Sequence, residues 1–215
     1  MSVIAVANLK GGVGKTTIAV NLACALAGFE ETVIVDADAQ GTASAWASDG
    51  NLPVRCDPLP LESSRGADRW VSGVRDLETG TVVIDCPPHL GSVTSAAIGM
   101  ADLVLVPVTP SGADLTATTG VVDLIVEARS ARRGRGPKSL LVPTRVIRRT
   151  RVGQNIKQVL RDFGEPVGPI IGQRIAFVEA FDTGQWIGDF SPRSQAYTEI
   201  KALARAVRRA LKRRK

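Results

Sequence analysis

Histidine occurs once in these 215 residues, cysteine three times, and aromatic residues make up only 4%. The cysteines, Cys24, Cys56 and Cys86, are odd in number and show no metal-ligand spacing, which excludes a disulfide framework and a cysteine metal site. Cys24 and Cys86 lie in apolar runs and read as small core residues, so the compartment reads as reducing cytoplasm. No apolar run approaches the roughly 20 residues of a membrane span, and no signal peptide is visible. The N-terminal apolar segment is short enough to be a strand. Trp46 and Trp70 read as packing groups rather than platforms for stacked bases, and His89 as a loop histidine rather than a catalytic one. No internal repeat or low-complexity linker divides the chain. Its length suits one domain, 1–215, burying about 70% of its unfolded surface.

Charge is unevenly spread. Residues 1–128 carry 6 Lys/Arg against 15 Asp/Glu, a net −9, whereas residues 129–215 carry 21 against 6, a net +15. So basic a half points to a polyanion partner, with nucleic acid the leading candidate.

The strongest local signal follows the apolar run Val3 to Ala7. Leu9-Lys10-Gly11-Gly12-Val13-Gly14-Lys15-Thr16-Thr17 leads into an apolar-periodic segment from Ile18 to Leu26, giving strand, glycine loop and helix. Three glycines in four positions let the backbone N–H groups turn inward as a nest for phosphate oxygens. The helix starting near Thr16 adds the positive end of its dipole. Lys15 then reaches the β- and γ-phosphates, and the Thr16 hydroxyl is placed for Mg²⁺. The usual GxxxxGK(S/T) pattern is not met, because Leu9 holds the place of its first glycine and Lys10 precedes the others.

KGGVGKTT resembles the deviant Walker A of the ParA/MinD family of ATPases, whose extra lysine crosses to the nucleotide of a partner subunit in an ATP-dependent sandwich dimer. Three later blocks, DADAQG, VVIDCPP and LVLVPVTPS, are similar to that family in the same order. The resemblance implies a cofactor site of Lys10, Gly11, Gly12, Val13, Gly14, Lys15, Thr16 and Thr17 for ATP. Catalytic roles fall to Lys10, Lys15 and Asp38, with Asp38 orienting the attacking water. Mg²⁺ contacts fall to Thr16, Asp36 and Asp85, and base contacts to the neighbourhood of Thr144 and Arg145. Where the family often has proline before the glutamine of DxDxQ, this chain has Ala39. No NKxD guanine-reading motif follows the Ser139–Arg145 run, which favours ATP. An iron–sulfur carrier of the same superfamily would need a CxxC near the C-terminus, and none is present.

Strand–helix alternation predicts an α/β fold: a doubly wound, mostly parallel sheet with helices on both faces. Expected strands are 3–7, 32–36, 54–56, 81–85, 103–110, 139–145 and 167–171. Helices are expected over Trp70–Leu77, with Val74 between, over Ala113–Arg129 on Leu115, Val122, Ile125 and Val126, over Gln154–Phe163, over Arg174–Phe181 and over Ser194–Arg213. Arg132 to Pro137 reads as a turn. The last helix carries an apolar stripe, Ile200, Leu203, Ala204, Val207 and Leu211. Three readings of the C-terminal charge stand: a solvated helix, non-specific DNA binding through phosphates, and an amphipathic membrane anchor. Packing uses the aliphatic stripe, which leaves none of it for lipid. DNA-contact candidates are Arg148, Arg149, Arg151, Arg174, Arg205, Arg208, Arg209 and Lys212. The chain looks like the small, ParF-like partition ATPases, which implies a cytoplasmic, nucleoid-associated homodimer stimulated by a ParB-like partner on its cargo. Cargo other than DNA, carboxysomes or chemoreceptor clusters, and a metabolic P-loop enzyme with a small-molecule acceptor, are the alternatives.

Overall fold

The computed structural model describes residues 1–61, 64–89, 91–133 and 136–212. Its strands are β1 (Ser2–Val6), β2 (Thr32–Asp36), β3 (Arg55–Pro58), β4 (Thr81–Asp85), β5 (Leu103–Val108) and β6 (Lys138–Pro143). Every pairing between them is parallel, in the order β3-β2-β4-β1-β5-β6. The interior strands are continuous runs such as TVIVD and TVVID, buried from end to end, as a sheet covered on both faces requires.

The helices are α1 (Lys15–Ala27), α2 (Thr42–Ala47), α3 (Ala67–Arg75), α4 (Ser92–Met100), α5 (Gly112–Ala131), α6 (Arg151–Arg161), α7 (Ala176–Asp182), α8 (Ile187–Phe190) and α9 (Gln195–Lys212). Side chains alternate across β1. Ile4 and Val6 join the core beneath α1, α2 and α7 to α9, while Val3, Ala5 and Ala7 join the core beneath α3 to α6. The doubly wound expectation therefore holds. Among the described residues no helix is long and apolar enough to cross a membrane.

Several expectations need correction. Helix α4 was not anticipated, nor was the short α8. Residues 167–171 form no strand; Val167 and Gly172 make isolated bridges to Leu141 and Val146. Pro166 and Pro169 lack the N–H groups that a ladder needs. On α5 the buried stripe runs through Val121 and Ile125, and Val126 is half exposed. Leu77 lies beyond the end of α3. Gly134 and Arg135 of the expected turn, and Arg213, Arg214 and Lys215 of the last helix, lie outside the described residues.

Helix α9 buries Ile200, Leu203, Ala204 and Val207, largely against α1. Its direction is set at both ends. Glu199 accepts from the Gly172 N–H beyond β6, and the Ala210 carbonyl accepts from Lys138 Nζ at the start of β6. The helix thus runs from the carboxyl edge of the sheet to the amino edge. Truncating Ile200, which has no exposed surface, opens a cavity under it. Ile200→Ala is expected to cost roughly 2–5 kcal/mol, seen in a thermal melt as a fall of about 2–4 °C per kcal/mol.

Candidate nucleotide-binding site

Parallel register brings the key groups to one edge. Asp36 at the end of β2 pairs with Asp85 at the end of β4, and Asp85 pairs with Val6 at the end of β1. The glycine loop leaves β1 beside these two acids, at the carboxyl ends of the strands, where doubly wound sheets bind ligands.

Gly12 and Gly14 take left-handed φ angles of 75° and 91°, which explains glycine at both positions. No side chain caps α1, so the first-turn N–H groups of Lys15, Thr16 and Thr17 are left to an anion. The loop is braced from below. Thr144 Oγ1 donates to the Val13 carbonyl at 2.8 Å, and Arg145 Nη1 donates to the Gly12 carbonyl at 2.7 Å. Arg145 itself stands at φ 51°, an uncommon conformation for a side-chain-bearing residue. The family resemblance implies base contacts near this pair, and in the structure both side chains brace the loop.

Lys15 is buried and its Nζ donates to the Lys10 carbonyl at 2.8 Å. Burial lowers its pKa, and the charge of Asp85 is the largest of the influences that oppose the shift. Lys10, the residue expected to cross to a partner, is ion-paired within its own chain to Asp114 on α5.

The three acids differ in how they are used. Both Asp36 oxygens are engaged: Oδ1 accepts from the Asp38 N–H, and Oδ2 accepts from the Ser44 N–H and hydroxyl, securing the first turn of α2. Asp38 is half-buried and accepts from the Gln40 N–H. Asp85 is fully buried, and neither oxygen accepts a hydrogen bond of good geometry. Burial pushes its carboxyl up to about 7, helped by Asp36 and Asp38 and opposed by the nearby Thr16 hydroxyl and Lys15. The Thr16 hydroxyl therefore lies close to Asp85 without forming a well-aligned bond to it.

An orphaned buried carboxylate beside a hydroxyl is a hard oxygen donor set, which fits Mg²⁺. Among the described residues no group of three or more His, Cys, Asp or Glu side chains forms a metal cage. The donors therefore suit an ion that keeps its waters and arrives with phosphates.

Two further residues escaped sequence reasoning. Asn8, with no exposed surface, donates to the Pro107 carbonyl and accepts from the Lys10 N–H, tying the loop entry to the end of β5. Asn21 accepts from the Ile187 N–H and donates to the Thr17 carbonyl, tying α1 to α8. A lone amide inside an apolar run was their only signal. His89 is exposed, and its carbonyl accepts from Thr94 at the start of α4. Burial pushes all three thiols up, Cys56 to about 12, and no cysteine is disulfide-bonded.

The eight DNA-contact candidates do not form one cluster. Arg148, Arg149 and Arg151 are exposed near the carboxyl edge of the sheet, while Arg208, Arg209 and Lys212 end α9 at the opposite edge. From Glu199 to Lys212 the helix rises about 20 Å. Arg205 lies between them, exposed. Arg174 is held by the buried Glu199 at 2.8 Å, and Arg208 lies over the Phe29 ring at 3.7 Å.

Comparison with known proteins agrees with this geometry. A family model described as the CobQ/CobB/MinD/ParA nucleotide binding domain matches residues 4–187. The chromosome-partitioning ATPase Soj of Thermus thermophilus is 32% identical over 242 residues, covering 95% of this chain and 94% of that protein. The maintenance of carboxysome distribution protein A of Gloeobacter kilaueensis is 44% identical over 120 residues, 53% of this chain. The matched stretches span 51% and 59% of the length of two such carboxysome relatives. In fold, the ATP complex of Cyanothece McdA superposes with a TM-score of 0.79 at 18% identity, covering 100% of this chain and 98% of that one.

The raised Asp85 carboxyl makes a sign-definite prediction. The folded protein binds this proton more tightly than the unfolded chain, so nucleotide-free stability falls as pH rises from near 4 through about 7. Wild-type protein should melt lower at pH 8 than at pH 6. Asp85→Asn should flatten that difference and raise the melting temperature at pH 8 by roughly 2–8 °C. An unchanged pH slope in the variant would show that Asp85 is not the group responsible.

Proposed function

Since the chain belongs to the CobQ/CobB/MinD/ParA nucleotide-binding family, we propose that it is an ATP-dependent partition ATPase of the ParA type. On this reading it forms an ATP sandwich dimer, binds DNA without sequence preference and positions plasmid or chromosomal DNA with a cargo-bound, ParB-like partner. The observation that carries the proposal is Lys10, a cation set at the mouth of the glycine loop and two-fifths exposed, so that it can reach a second subunit's phosphates. The basic second half of the chain and the full-length similarity to Soj support it. Carboxysome relatives, similar over half their length, support the same machine carrying a protein cargo.

The residues present suffice for slow hydrolysis. Loop N–H groups and Lys15 hold the phosphates, and Lys10 of each subunit supplies charge to the other's nucleotide. Thr16 and Asp85 would hold Mg²⁺, which would supply charge neutralisation to the phosphates. Asp38 orients a water whose oxygen attacks the γ-phosphorus as the bond to ADP breaks. Among the described residues Asp38 alone is assigned to that water, so turnover is slow and waits on the partner. Dimerisation joins two basic surfaces in one rigid body, which makes DNA affinity depend on the bound nucleotide. Cytoplasmic, nucleoid-associated localisation follows.

A gel shift with arbitrary duplex DNA tests the proposal: retardation should need ATP and weaken steeply with salt. ATP turnover with no DNA binding would favour a metabolic enzyme. Lys10→Ala should bind nucleotide as a monomer yet fail to dimerise with ATP in light scattering. Asp38→Ala should accumulate the ATP-bound dimer with hydrolysis lowered roughly 100-fold, and undiminished hydrolysis would remove Asp38 from the mechanism.

A further inference from the structure

We infer that Asp114 is a positioning residue for Lys10: it holds the lysine at home in the nucleotide-free subunit and so sets the threshold for ATP-driven dimerisation. The inference rests on the sandwich-dimer reading above. Its starting point is the ion pair between Lys10 Nζ and Asp114 Oδ1, in which the lysine side chain is 42% exposed and the aspartate 5%. That aspartate oxygen has no hydrogen-bond partner, so the lysine charge is what compensates it.

Asp114 cannot follow the lysine outward. It sits in the first turn of α5, where its N–H donates to the Ser111 side chain and carbonyl. The residue before the lysine is fixed to the same helix. Leu9 packs where Gly120 leaves room, since a Cβ at that glycine would lie 2.8 Å from Leu9 Cδ1. This packing gives the leucine in place of the usual first glycine a purpose: it seats the loop entry on α5, with Lys10 beside Asp114.

A second contact links this latch to the nucleotide. Lys15 Nζ donates to the Lys10 carbonyl, and a lysine that turns to bind phosphate gives up that bond. Nucleotide arrival therefore frees the Lys10 carbonyl and leaves Asp114 as the hold on its side chain, while Asn8 keeps its N–H. Pulling Lys10 across a dimer interface then strands a buried carboxylate, a costly state. An interaction present in the monomer and absent from the dimer opposes association by its own free energy. Because each dimer breaks two such pairs, the effect on the dimer constant is the square of the effect per subunit. If each latch is worth about tenfold, or 1.4 kcal/mol, the dimer constant changes about 100-fold.

The test measures the dimer dissociation constant with a non-hydrolysable ATP analogue, by light scattering over a protein dilution series, for wild type and Asp114→Asn. The variant should dimerise about 100-fold more tightly, while the nucleotide affinity of its monomer, read with a fluorescent ATP analogue, stays within about twofold. A merely structural role would weaken nucleotide binding along with folding and would not tighten the dimer. In nucleotide-free protein, acylation of Lys10 followed by mass spectrometry should rise in the variant, with Lys201 as the unaffected reference. Asp114→Ser, which keeps a residue suited to a helix first turn, carries the test if the asparagine variant folds poorly. A wild type that dimerises while both variants dimerise equally or more weakly overturns this inference alone. A wild type that stays monomeric with the analogue overturns the sandwich reading, and this inference with it.

Discussion

The parallel register of three neighbouring strands is the constraint on which the rest depends. Because β2, β4 and β1 are in step, Asp36, Asp85 and the start of the glycine loop emerge side by side. Side chains alternate across a strand, so a slip of one residue would send Asp85 to the opposite face and turn the apolar set of β4 with it. The hydrophobic core that fixes the register thereby fixes the distance between acid and loop. Folding and site construction are one event here, since the same Val82, Val83 and Ile84 that hold β4 in place aim its terminal carboxylate.

The site is also where stability is given up. Asp85 is buried without a hydrogen-bond partner, Lys15 is buried against a backbone carbonyl, and Arg145 stands in a left-handed conformation. Each costs on the order of 1–3 kcal/mol in isolation. They persist because Thr144, Asn8 and Leu9 hold the loop from its flanks. Strain gathered at one edge and supported from the strands below is what a preorganised anion and cation site would be expected to show.

How much of this was legible in the sequence follows from how local each feature is. Gly12 and Gly14 could be read because a left-handed backbone leaves its mark on residue identity. The buried strands could be read as unbroken apolar runs ending in Asp36 or Asp85. Helix α4 was missed because Ser92 to Met100 is made of small residues with no marked apolar stripe. The stretch 167–171 was over-read because its composition is apolar while its prolines forbid a ladder. The contact between Lys10 and Asp114 left no local pattern at all: the two are remote in sequence and meet only through the β1–β5 pairing that brings the loop alongside α5. Likewise the family resemblance implies a metal role for Asp36, and only the fold reveals Ser44 within its reach.

Charge distribution shows the same divide between composition and geometry. Composition alone marks the second half of the chain as basic, yet the fold sends that charge to two edges of the sheet. Glu199 stands at the division. Buried and bonded to the Gly172 N–H, it holds Arg174 closely and Arg148 at 3.5 Å, so part of the basic cluster nearest the nucleotide serves to pin α9 to the loops after β6. Among the described candidates, Arg149 and Arg151 at that edge and Arg209 and Lys212 at the other make no side-chain ion pair, and Arg208 lies over Phe29. A duplex laid along α9 would meet both sets, because the separation of about 20 Å is several phosphate spacings on one strand. A duplex crossing the helix at right angles would meet one set only. Orientation of the polyanion along α9, rather than the total of positive charge, is therefore the quantity that would decide how many phosphates one subunit can neutralise.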